Sequence, residues 1–484
     1  MDAQQIRQLK PKLDRYLKRF ADCFARKDTH AHFPVYVEGQ LSDLHRKSVE
    51  PIAKKARVPV RTLQEFLSLL KWDEERMRDR LQAIVAAEHA SPRAVGVIDE
   101  TSFAKQGDKT PGVKRQYCGS TGKTENCIVT VHLTYAADGF HCLLDGELFL
   151  PKDWHEDRDR CREAGIPDAV VYRPKWKIAL ELLDRSRHNG VALRWLTFDE
   201  GYGGKPGFLA GLRGRRQNFV GEVPSILPGW LDRPRVTRRP YRRRRGGRPR
   251  LRPRVVSGSP RARSVKQLLQ RDPRLRDQPW KRYRLRDGTK GPMVWETKHT
   301  WFYPKDEDGL PTPRLRLVIA RNVLHPKEIK YFVGDAPPGT SVGTLLLVGF
   351  SRWHVERCFE DGKDELGMDH YEGRRYPGLK RHLILSAVSY LFLSRVREEL
   401  GEKRPGVDGG PGPRRGGRPD PVVVAGQPGL GAAAGDPRRG HPEDAAGQRQ
   451  GPPEPHEANP QKAQGIRHPT DPHRTLPVEH KLAL

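Results

Sequence analysis

The sequence lacks the features that mark membrane proteins and disulfide-bonded proteins. No apolar run approaches the roughly 20 residues that cross a bilayer, and the opening stretch MDAQQIRQLKPKLDRYL has no apolar centre like that of a signal peptide. The six cysteines are scattered, with no C-x-x-C pair, which favours reduced thiols over a disulfide framework or a structural zinc. We therefore expect a cytoplasmic protein that does not contact membranes.

Acidic residues are scarce relative to basic ones. The 484 residues include 89 Lys and Arg against 60 Asp and Glu, which gives a formal net charge of +29. Such a surplus favours a polyanionic partner, because each Lys or Arg that meets a phosphate releases a condensed counterion. Nucleic acid is the first candidate for this partner. An anionic membrane surface is the second, and the absence of a bilayer-spanning run and of a signal peptide disfavours it.

Aromatic residues are missing from the last part of the chain. Residues 401–484 contain no Phe, Trp, Tyr, Met or Cys and are rich in Gly, Pro, Arg and Ala. A segment of this kind cannot recover its ordering entropy by burial, so it is predicted to be a disordered tail. The abrupt change at Gly401 also suggests a frameshift in a GC-rich gene, a hypothesis that a comparison of the gene's three reading frames would test.

The first 90 residues show helical periodicity and are predicted to form a helical DNA-binding domain. In SVEPIAKKARVPVRTLQEFLSLL, two short helical stretches are broken around Val58-Pro59, as in a helix-turn-helix. The alternative is an ordinary helical hairpin with a solvated basic face.

The helix-turn-helix interpretation assigns roles to individual side chains. Ile52, Ala53 and Ala56 are expected to pack inward. The second helix is expected to open with residues that touch base edges, namely Arg61, Thr62 and Gln64.

Strand signals follow the helical region. Residues 91–223 contain the apolar run AVGVIDET, the hairpin pattern ENCIVTVHLTYAADGFHCLLDGELFLP and the strand VALRWLTFDEGYGG, separated by helical segments. This order predicts an α/β fold with a mixed sheet flanked by helices. Residues 224–335 are predicted to form a β-rich insertion with a basic arm, and residues 336–400 complete the core.

Acidic residues are the last residues of two predicted core strands. Asp99 ends VGVID, Asp199 ends RWLTFD, and a third carboxylate lies on the predicted helix SRWHVERCFEDGKDELG. Strand ends face the crevice in which open sheets bind ligands. Hard divalent cations prefer oxygen ligands, and two ions about 4 Å apart can drive an in-line displacement at phosphorus. Acids at strand ends also serve as helix caps or turn formers.

The sequence motifs around these acids resemble those of a known family. DETSFAKQG with GVKRQYCGSTGKTENC, then FDEGYGG, then SRWHVERCFEDGKDELGMDHYEGR, resemble the three catalytic blocks of bacterial insertion-sequence transposases, the DDE superfamily with an RNase H-like core. The resemblance covers about residues 15–400. The third block of its cut-and-paste branch has a Tyr-(2)-Arg-(3)-Glu-(6)-Lys signature, which Arg352, Glu356 and Lys363 match, whereas Gly349, next to Phe350, stands at the Tyr position.

This resemblance implies a set of site residues. It implies catalytic, metal-binding roles for Asp99, Asp199 and Glu356, with two Mg²⁺ ions for which Mn²⁺ can substitute. Glu360, one helical turn away on the same face, is the alternative third ligand. Arg352 is expected either to clamp a phosphate or to form a salt bridge with Glu356.

Basic residues beside these blocks are weaker candidates for DNA contacts. Three flank the first block and either contact backbone phosphate or form a solvated basic loop: Lys105, Lys114 and Arg115. The stretch GGRPR at 246–250 is a candidate minor-groove contact. His382 is expected to be structural.

By resemblance, the protein would act on double-stranded DNA. It would bind the terminal inverted repeats of its element as a homodimer, cleave strands there and join them to target DNA in the bacterial cytoplasm, at the nucleoid. Two alternatives remain open: a decayed transposase that only binds DNA, and a stand-alone RNase H-like nuclease.

Overall fold

A computed structural model describes residues 3–238, 252–288 and 291–402 of the chain. Two sequence expectations lie outside the described residues: the candidate minor-groove stretch at 246–250, and the predicted tail from residue 403 onward. Within the described ranges, no helix combines the length and the apolar character that crossing a membrane requires.

Helices precede the sheet, connect its strands and close the described chain. In chain order they are α1 Ala3–Lys18, α2 Lys27–Gln40, α3 Val49–Ala56, α4 Val60–Ser68, α5 Glu74–Glu88, α6 Lys152–Glu156, α7 Arg158–Glu163, α8 Lys175–His188, α9 Glu200–Gly203, α10 Pro206–Gly214, α11 Val265–Arg271, α12 Pro273–Arg276, α13 Val342–Phe350, α14 Trp353–Asp364 and α15 Tyr376–Glu402. A 3-10 turn, Ala21–Cys23, follows α1.

The strands fall into a core group and a later group. The core strands are β1 Val95–Ala104, β2 Lys114–Cys118, β3 Lys123–Ala137, β4 Phe140–Leu148, β5 Trp195–Phe198 and β6 Phe219–Glu222. The later strands are β7 Pro228–Trp230, β8 Val236–Thr237, β9 Arg254–Val255, β10 Arg263–Ser264, β11 Lys281–Gly288, β12 Gly291–Pro304, β13 Leu315–Asn322 and β14 Ile329–Asp335.

The core strands form the mixed sheet that the sequence predicted. β4, β3 and β1 are antiparallel neighbours, and β5 and then β6 continue the sheet parallel to β1. The order β4-β3-β1-β5-β6, with helices between the parallel strands, is the RNase H-like arrangement. The predicted fold class is therefore confirmed.

The strands predicted after residue 224 extend this sheet. β14 pairs antiparallel with β6, and β13 and β12 follow, with β11 at the side of β12. A small second cluster of buried side chains joins them to α13, with Trp295, Phe332 and Leu346 among its members. The later strands thus add to the core sheet at its β6 edge.

The sequence prediction for the first strand was wrong in one respect. β1 does not end at Asp99 but continues to Ala104, because β3 pairs with it along its whole length, from Ala136 to Cys127. The parallel pairing with β5 does end there, at Ile98 opposite Phe198. Asp99 therefore sits at the end of the parallel ladder, inside a longer antiparallel strand.

The two short helices predicted around Val58-Pro59 are present. Arg57, with a φ of 56°, ends α3 in the left-handed conformation, and α4 begins directly after Pro59. Ile52 and Ala53 are buried as predicted. Ala56 is exposed, so its predicted inward packing is wrong, because α3 ends at this residue and its last turn faces solvent.

The N-terminal helices share one core with the sheet, and α15 joins the two. Phe20, Phe66 and Ile84 of the helical region belong to the same buried cluster as Val97 of β1 and Leu385 of α15. The buried side chain of Arg381 on α15 fastens α4. It donates to the main-chain oxygens of Leu67 and Leu70, at 3.1 and 2.8 Å, near the unpaired carbonyl end of that helix.

Loss of this fastening should cost stability. We expect Arg381→Ala to lower the free energy of unfolding by about 3 kcal/mol, because it leaves buried carbonyls and the Glu74 carboxylate without their donor. The neighbouring Lys380→Ala is the matched control and should change stability by less than about 1 kcal/mol, since Lys380 pairs with Glu75 near the surface. Equal denaturant midpoints for the two variants would refute the role of Arg381.

Candidate active site

Asp99 and Asp199 lie side by side where the parallel ladder of β1 and β5 ends. The pairing of β1 with β5 places Ile98 opposite Phe198, and the two aspartates are the next residues along each strand. Their carboxylates are close enough that the charge of Asp199 raises the pKa of Asp99. The structure thus brings together the first two predicted acids.

The Asp99 carboxyl group is buried between its neighbours. Burial, followed by the negative charge of Asp199, raises its pKa to about 7, while the Arg352 guanidinium opposes that rise. Its Oδ1 accepts the main-chain N–H of Glu100 at 2.8 Å, and its Oδ2 accepts from Arg352 Nη1 at 2.8 Å. Two acids in one poorly solvated place favour a bound cation, which would relieve their repulsion.

Asp199 also serves as a helix cap. Its Oδ1 accepts the main-chain N–H of Tyr202 at 3.2 Å, at the start of the short helix α9. The capping role proposed as the plain alternative for strand-end acids is therefore present here, and it orients the carboxylate. Gly203 lets this turn approach β6, because a Cβ there would lie 1.9 Å from the carbonyl oxygen of Glu222.

Arg352 connects Asp99 to Glu356. Besides the contact to Asp99, its Nη2 lies 2.8 Å from Glu356 Oε1 on the next turn of α14. The salt bridge expected as an alternative is thus formed, and the same guanidinium also contacts Asp99. The positive charge of Arg352 therefore lies between Asp99 on β1 and Glu356 on α14.

Glu356 and Glu360 occupy similar positions on one helix but have different partners. Their side chains are 59% and 60% exposed, and Glu360 pairs with Arg357 at 3.1 Å. Only Glu356 connects through Arg352 to the strand-end acids. Among the described residues, no three His, Cys, Asp or Glu side chains are gathered closely enough to hold a metal ion.

The donor chemistry nevertheless suits a metal. Asp99 and Asp199 offer only oxygen atoms, the preferred ligands of Mg²⁺ and Mn²⁺. Burial first and the charge of Asp199 second raise the pKa of Asp99, and a bound cation would oppose both effects. The strand-end pair therefore fits a hard divalent cation. Glu356 does not contact the two aspartates directly. Arg352 lies between them, with one contact to Asp99 and one to Glu356.

Glycine at the position of the signature tyrosine has a packing reason. A Cβ at Gly349 would lie 3.0 Å from two ring atoms of Phe332, so a larger residue there requires the Phe332 ring to move. The adjacent Phe350 packs its ring on Trp295 and Phe332, at centroid distances of 4.6 and 5.3 Å. The aromatic ring at this point thus belongs to the packing between α13 and the later strands.

The two predicted lysines nearest the site are partly withdrawn from solvent. Lys363 lies beside Phe103 of β1, with Nζ 5.8 Å from the ring centroid, and burial lowers its pKa. Lys105 donates to the main-chain oxygens of Asp369 and Tyr371 at 2.8 and 2.6 Å, and burial lowers its pKa to about 8. Lys105 therefore ties β1 to the loop after α14.

The other basic candidates are on the surface. Lys114 on β2 pairs with Asp153 at 2.6 Å, and Arg115 beside it is exposed. Arg61 at the start of α4 is 83% exposed and pairs with Glu65 at 2.7 Å. Gln64 is exposed and Thr62 is half-buried on the same helix. These side chains are separate from the acids and are available to a partner of the size of DNA.

His382 has the structural role that the sequence suggested. It is fully buried on α15, its Nδ1 lies 2.8 Å from the Tyr36 hydroxyl, and its Nε2 lies 3.1 Å from the main-chain oxygens of Gly367 and Met368. Burial lowers its pKa to about 4, so it holds these segments together as a neutral ring.

Sequence reasoning missed several residues beside the acids. Glu100 pairs with Lys175 of α8 at 2.6 Å, and Tyr202 is buried near Asp199. Their signals were weak: Glu100 and Tyr202 stand within three positions of the two aspartates in DET and FDEGYGG. Lys175 gave no signal, because its meeting with Glu100 depends on how α8 packs across the sheet.

Comparison with known proteins agrees with this geometry. The family of DDE superfamily endonucleases matches residues 19–292, more than half of the chain. The match includes Asp99 and Asp199 and stops before Glu356. A similar protein is the "Probable transposase for insertion sequence element IS701" of Microchaete diplosiphon, 31% identical over 225 residues. The similar region is 45% of this chain and 56% of that protein, so the chain spans little more than half of its relative.

The family match and the strand-end acids lead to the same assignment. The matched residues contain both aspartates, and the fold that presents them has the RNase H-like strand order. The resemblance to insertion-sequence transposases seen in the motif blocks is thereby confirmed. The chain belongs to the DDE superfamily of endonucleases.

Proposed function

We propose that the protein is a DNA transposase that cleaves and joins strands at the ends of an insertion sequence. The observation that carries this proposal is the carboxylate pair of buried Asp99 and half-buried Asp199, side by side where the parallel ladder of β1 and β5 ends, within the matched family region. The similar protein from Microchaete diplosiphon is named as a transposase, which supports the same reaction.

The proposed metal ligands are Asp99, Asp199 and Glu356. Bound Mg²⁺ ions, or Mn²⁺ in their place, supply an activated attacking oxygen and a stabilised leaving oxygen at phosphorus. The two aspartates are held ready by the β1 and β5 ladder and by the N–H groups of Glu100 and Tyr202. Glu356 is included on the spacing of the family signature, with Glu360 as the alternative.

Arg352 is proposed to bind a phosphate of the DNA. Its two Nη atoms already address two acidic side chains at once, and the same planar fork suits two phosphate oxygens. A phosphate bound by this guanidinium would replace its contacts to Asp99 and Glu356 and so free both carboxylates. Lys363, Lys114 and Arg115 are proposed further backbone contacts, whereas the two main-chain contacts of Lys105 favour a structural role for it.

The proposed substrate is double-stranded DNA in the bacterial cytoplasm. We propose that a homodimer binds the terminal inverted repeats, that residues 1–90 recognise them, and that the strands of 224–335 help to hold the DNA end beside the core of 91–223 and 336–400. The basic surplus of +29 supports a polyanionic partner of this kind.

Cleavage of the element's own ends tests the proposal. Duplexes that carry the flanks of the gene are incubated with the full chain, with Mg²⁺ or with EDTA, and products are mapped at nucleotide resolution. The proposal expects metal-dependent cuts at the repeat boundary and joined products with added target DNA. Specific binding of the ends without any cut would instead support the decayed, DNA-binding alternative, and cuts without joining would support a stand-alone nuclease.

The start of α4 is proposed to read the repeat sequence. Arg61, Thr62 and Gln64 stand at the exposed N-terminal end of a helix that Arg381 holds against the core. We expect Arg61→Ala together with Gln64→Ala to weaken binding of the element's ends by about tenfold or more, since one good base contact discriminates by about 1–3 kcal/mol.

Electrophoretic mobility shifts with end DNA and with scrambled DNA measure that effect. The matched control is Arg26→Ala, which removes an equally exposed arginine, paired with Asp28, from the beginning of α2. If the double substitution weakened both DNAs equally, α4 would supply only backbone contacts. Unchanged binding of both would refute the helix-turn-helix interpretation.

A further inference from the structure

A small pocket beyond the end of β1 concentrates positive charge. It lies between the loop that follows β1, the helices α6 and α7, and the segment that leads into α15, and its volume is about 80 Å³. In the described part of the chain, one acidic side chain, Glu163, lines it together with four basic ones: Lys109, Arg160, Arg374 and Arg375. The pocket is therefore suited to an anion, and the cleavage proposed above makes no use of it.

The guanidinium of Arg160 is fixed in place by the protein itself. It stacks on the buried ring of Trp154, with Cζ 3.8 Å from the ring centroid, and its Nη2 donates to the main-chain oxygen of Asp108 at 2.7 Å. Trp154 is held in turn, because its Nε1 donates to the main-chain oxygen of Val113 at 2.8 Å. A guanidinium held in this way has further N–H groups for a second acceptor and loses little side-chain freedom on binding one.

The two arginines before α15 differ in their contacts. Arg375 Nη1 donates to the main-chain oxygen of Glu163 at 3.1 Å, where α7 ends. Arg374 is exposed, and within the described residues it forms no hydrogen bond or ion pair. Lys109 lies 3.3 Å from the Glu163 carboxylate, whose side chain is 66% exposed and free to turn into solvent. The positive charge of the pocket is thus poorly balanced within the protein.

We propose that this pocket binds one backbone phosphate of the DNA, at a distance from the phosphodiester that is cut. The proposal rests on the proposed function and adds a contact to it. From Asp99, β1 continues for five residues to Ala104, about 17 Å of extended strand, before the loop that contains Lys109. Phosphates of one strand are about 3.4 Å apart along the duplex. The bound phosphate therefore lies on the order of five nucleotides from the cut.

The size and the charge of the pocket select a phosphate over a larger ligand. Pockets that enclose a small organic molecule measure about 300–1,000 Å³, so a whole nucleotide does not fit inside this one. The ring of Trp154 is buried under Arg160 and offers no free face to a base. A phosphate group that projects from a backbone outside the pocket fits this space, and its oxygens match the N–H groups of the arginines.

Neutral phosphates at single positions test the proposal. End duplexes carry one methylphosphonate in place of each phosphate in turn, and their affinity for the full chain is measured in EDTA for wild type and Arg374→Ala. We expect Arg374→Ala to weaken binding of unmodified DNA about tenfold at low salt, because a charge-assisted contact is lost. On the duplex whose neutral position lies in the pocket, the substitution should have almost no effect, because its partner is already gone.

The salt dependence of binding measures the same contact. The logarithm of the affinity falls linearly with that of the salt concentration, and loss of one phosphate contact should reduce the slope by about 0.9. Arg374→Ala should show this reduction on end DNA and on scrambled DNA alike, since a backbone contact carries no sequence information. The matched control is Arg162→Ala on α7, whose side chain is 59% exposed and pairs with Asp159, and it should keep the wild-type slope.

Glu163 provides a prediction of the opposite sign. Its carboxylate would repel a phosphate in the pocket, so Glu163→Gln should strengthen binding of unmodified DNA by about twofold to threefold. Asp159→Asn removes an exposed acid from the same helix that does not line the pocket, and it should have a smaller effect.

The outcomes separate this inference from the proposed function. If wild type cuts the ends but Arg374→Ala weakens every methylphosphonate duplex as much as unmodified DNA, the pocket holds no particular phosphate and the transposase proposal stands. Unchanged affinity of Arg374→Ala for unmodified DNA would overturn the inference in the same way. Thermal stabilisation of wild type by inorganic phosphate that Arg374→Ala loses, with DNA affinity unchanged, would assign the pocket to a free anion instead. If wild type neither binds nor cuts end DNA, the proposed function itself fails.

Discussion

The Asp199→Asn and Asp99→Asn variants should lose metal-dependent cleavage of element-end DNA, with a drop on the order of 10³-fold or more, the scale seen when a central catalytic group is removed. Each substitution replaces a carboxylate, the proposed metal ligand, by a neutral amide at the pair where the parallel ladder of β1 and β5 ends. Binding of the ends should be nearly unchanged, because the basic surface and α4 are untouched. Single-turnover cleavage and mobility shifts measure the two properties separately.

Stability provides the control for this result. The folded-state pKa of Asp99 is raised from its ordinary 3.8 to about 7, so the folded protein holds this proton more tightly than the unfolded chain does. The contribution of Asp99 to stability is therefore full below pH 4 and is lost as the pH rises through about 7. Without metal at pH 8, Asp99→Asn should melt at the same temperature as wild type or higher.

The control is an Asp→Asn substitution at the surface, away from the proposed site. Asp184→Asn removes a carboxylate of α8 that pairs with Arg215 at the end of α10, and it should keep wild-type cleavage. An Asp199→Asn variant that cuts at the wild-type rate would remove this residue from the site. If Asp199→Asn loses both cleavage and its fold, the Asp99→Asn variant decides the assignment, because its folding is expected to be intact.

The second large effect separates two glutamates on α14. Glu356→Gln should reduce cleavage to background, whereas Glu360→Gln should keep it within about twofold, as surface substitutions usually do. The difference follows from their partners among the described residues: Glu356 connects through Arg352 to Asp99, and Glu360 pairs with Arg357.

The pair is well matched, because both side chains are about equally exposed and Gln has a helix propensity similar to that of Glu. Helix content and melting temperature should therefore be the same in both variants. The reverse result, with Glu360 essential and Glu356 dispensable, would move the third ligand by one turn and remove the assigned roles of Arg352 and Lys363.

The sequence predicted the catalytic sheet well because its signals are local. A buried apolar run followed by an acid marks Asp99 and Asp199, and the turn at Val58-Pro59 marks α3 and α4. The extension of β1 beyond Asp99 was missed because it depends on pairing with β3, where Val131 and Cys127, more than 20 positions later in the chain, are the partners of Glu100 and Ala104. Pairing across such distances leaves no mark in the strand itself.

The contacts that decide function were the hardest to predict. The signature spacing places Arg352 and Glu356 on one helix face, but only the packing of α14 against β1 brings Arg352 to Asp99. In the same way, Lys105 looked like a DNA contact because of its charge, and its two main-chain acceptors belong to a loop more than 260 positions later. Such meetings are properties of tertiary packing.

Binding of Mn²⁺ to the full chain on end DNA is the most direct measurement of the central claim, since it reads the acidic pair without any need for turnover. Electron paramagnetic resonance counts free Mn²⁺ as the metal is titrated into wild type and into the variant with both Asp99→Asn and Asp199→Asn. We expect saturable binding by wild type that the double variant loses while its DNA affinity remains. Equal Mn²⁺ binding by the two proteins would contradict the assignment of these aspartates as the metal site.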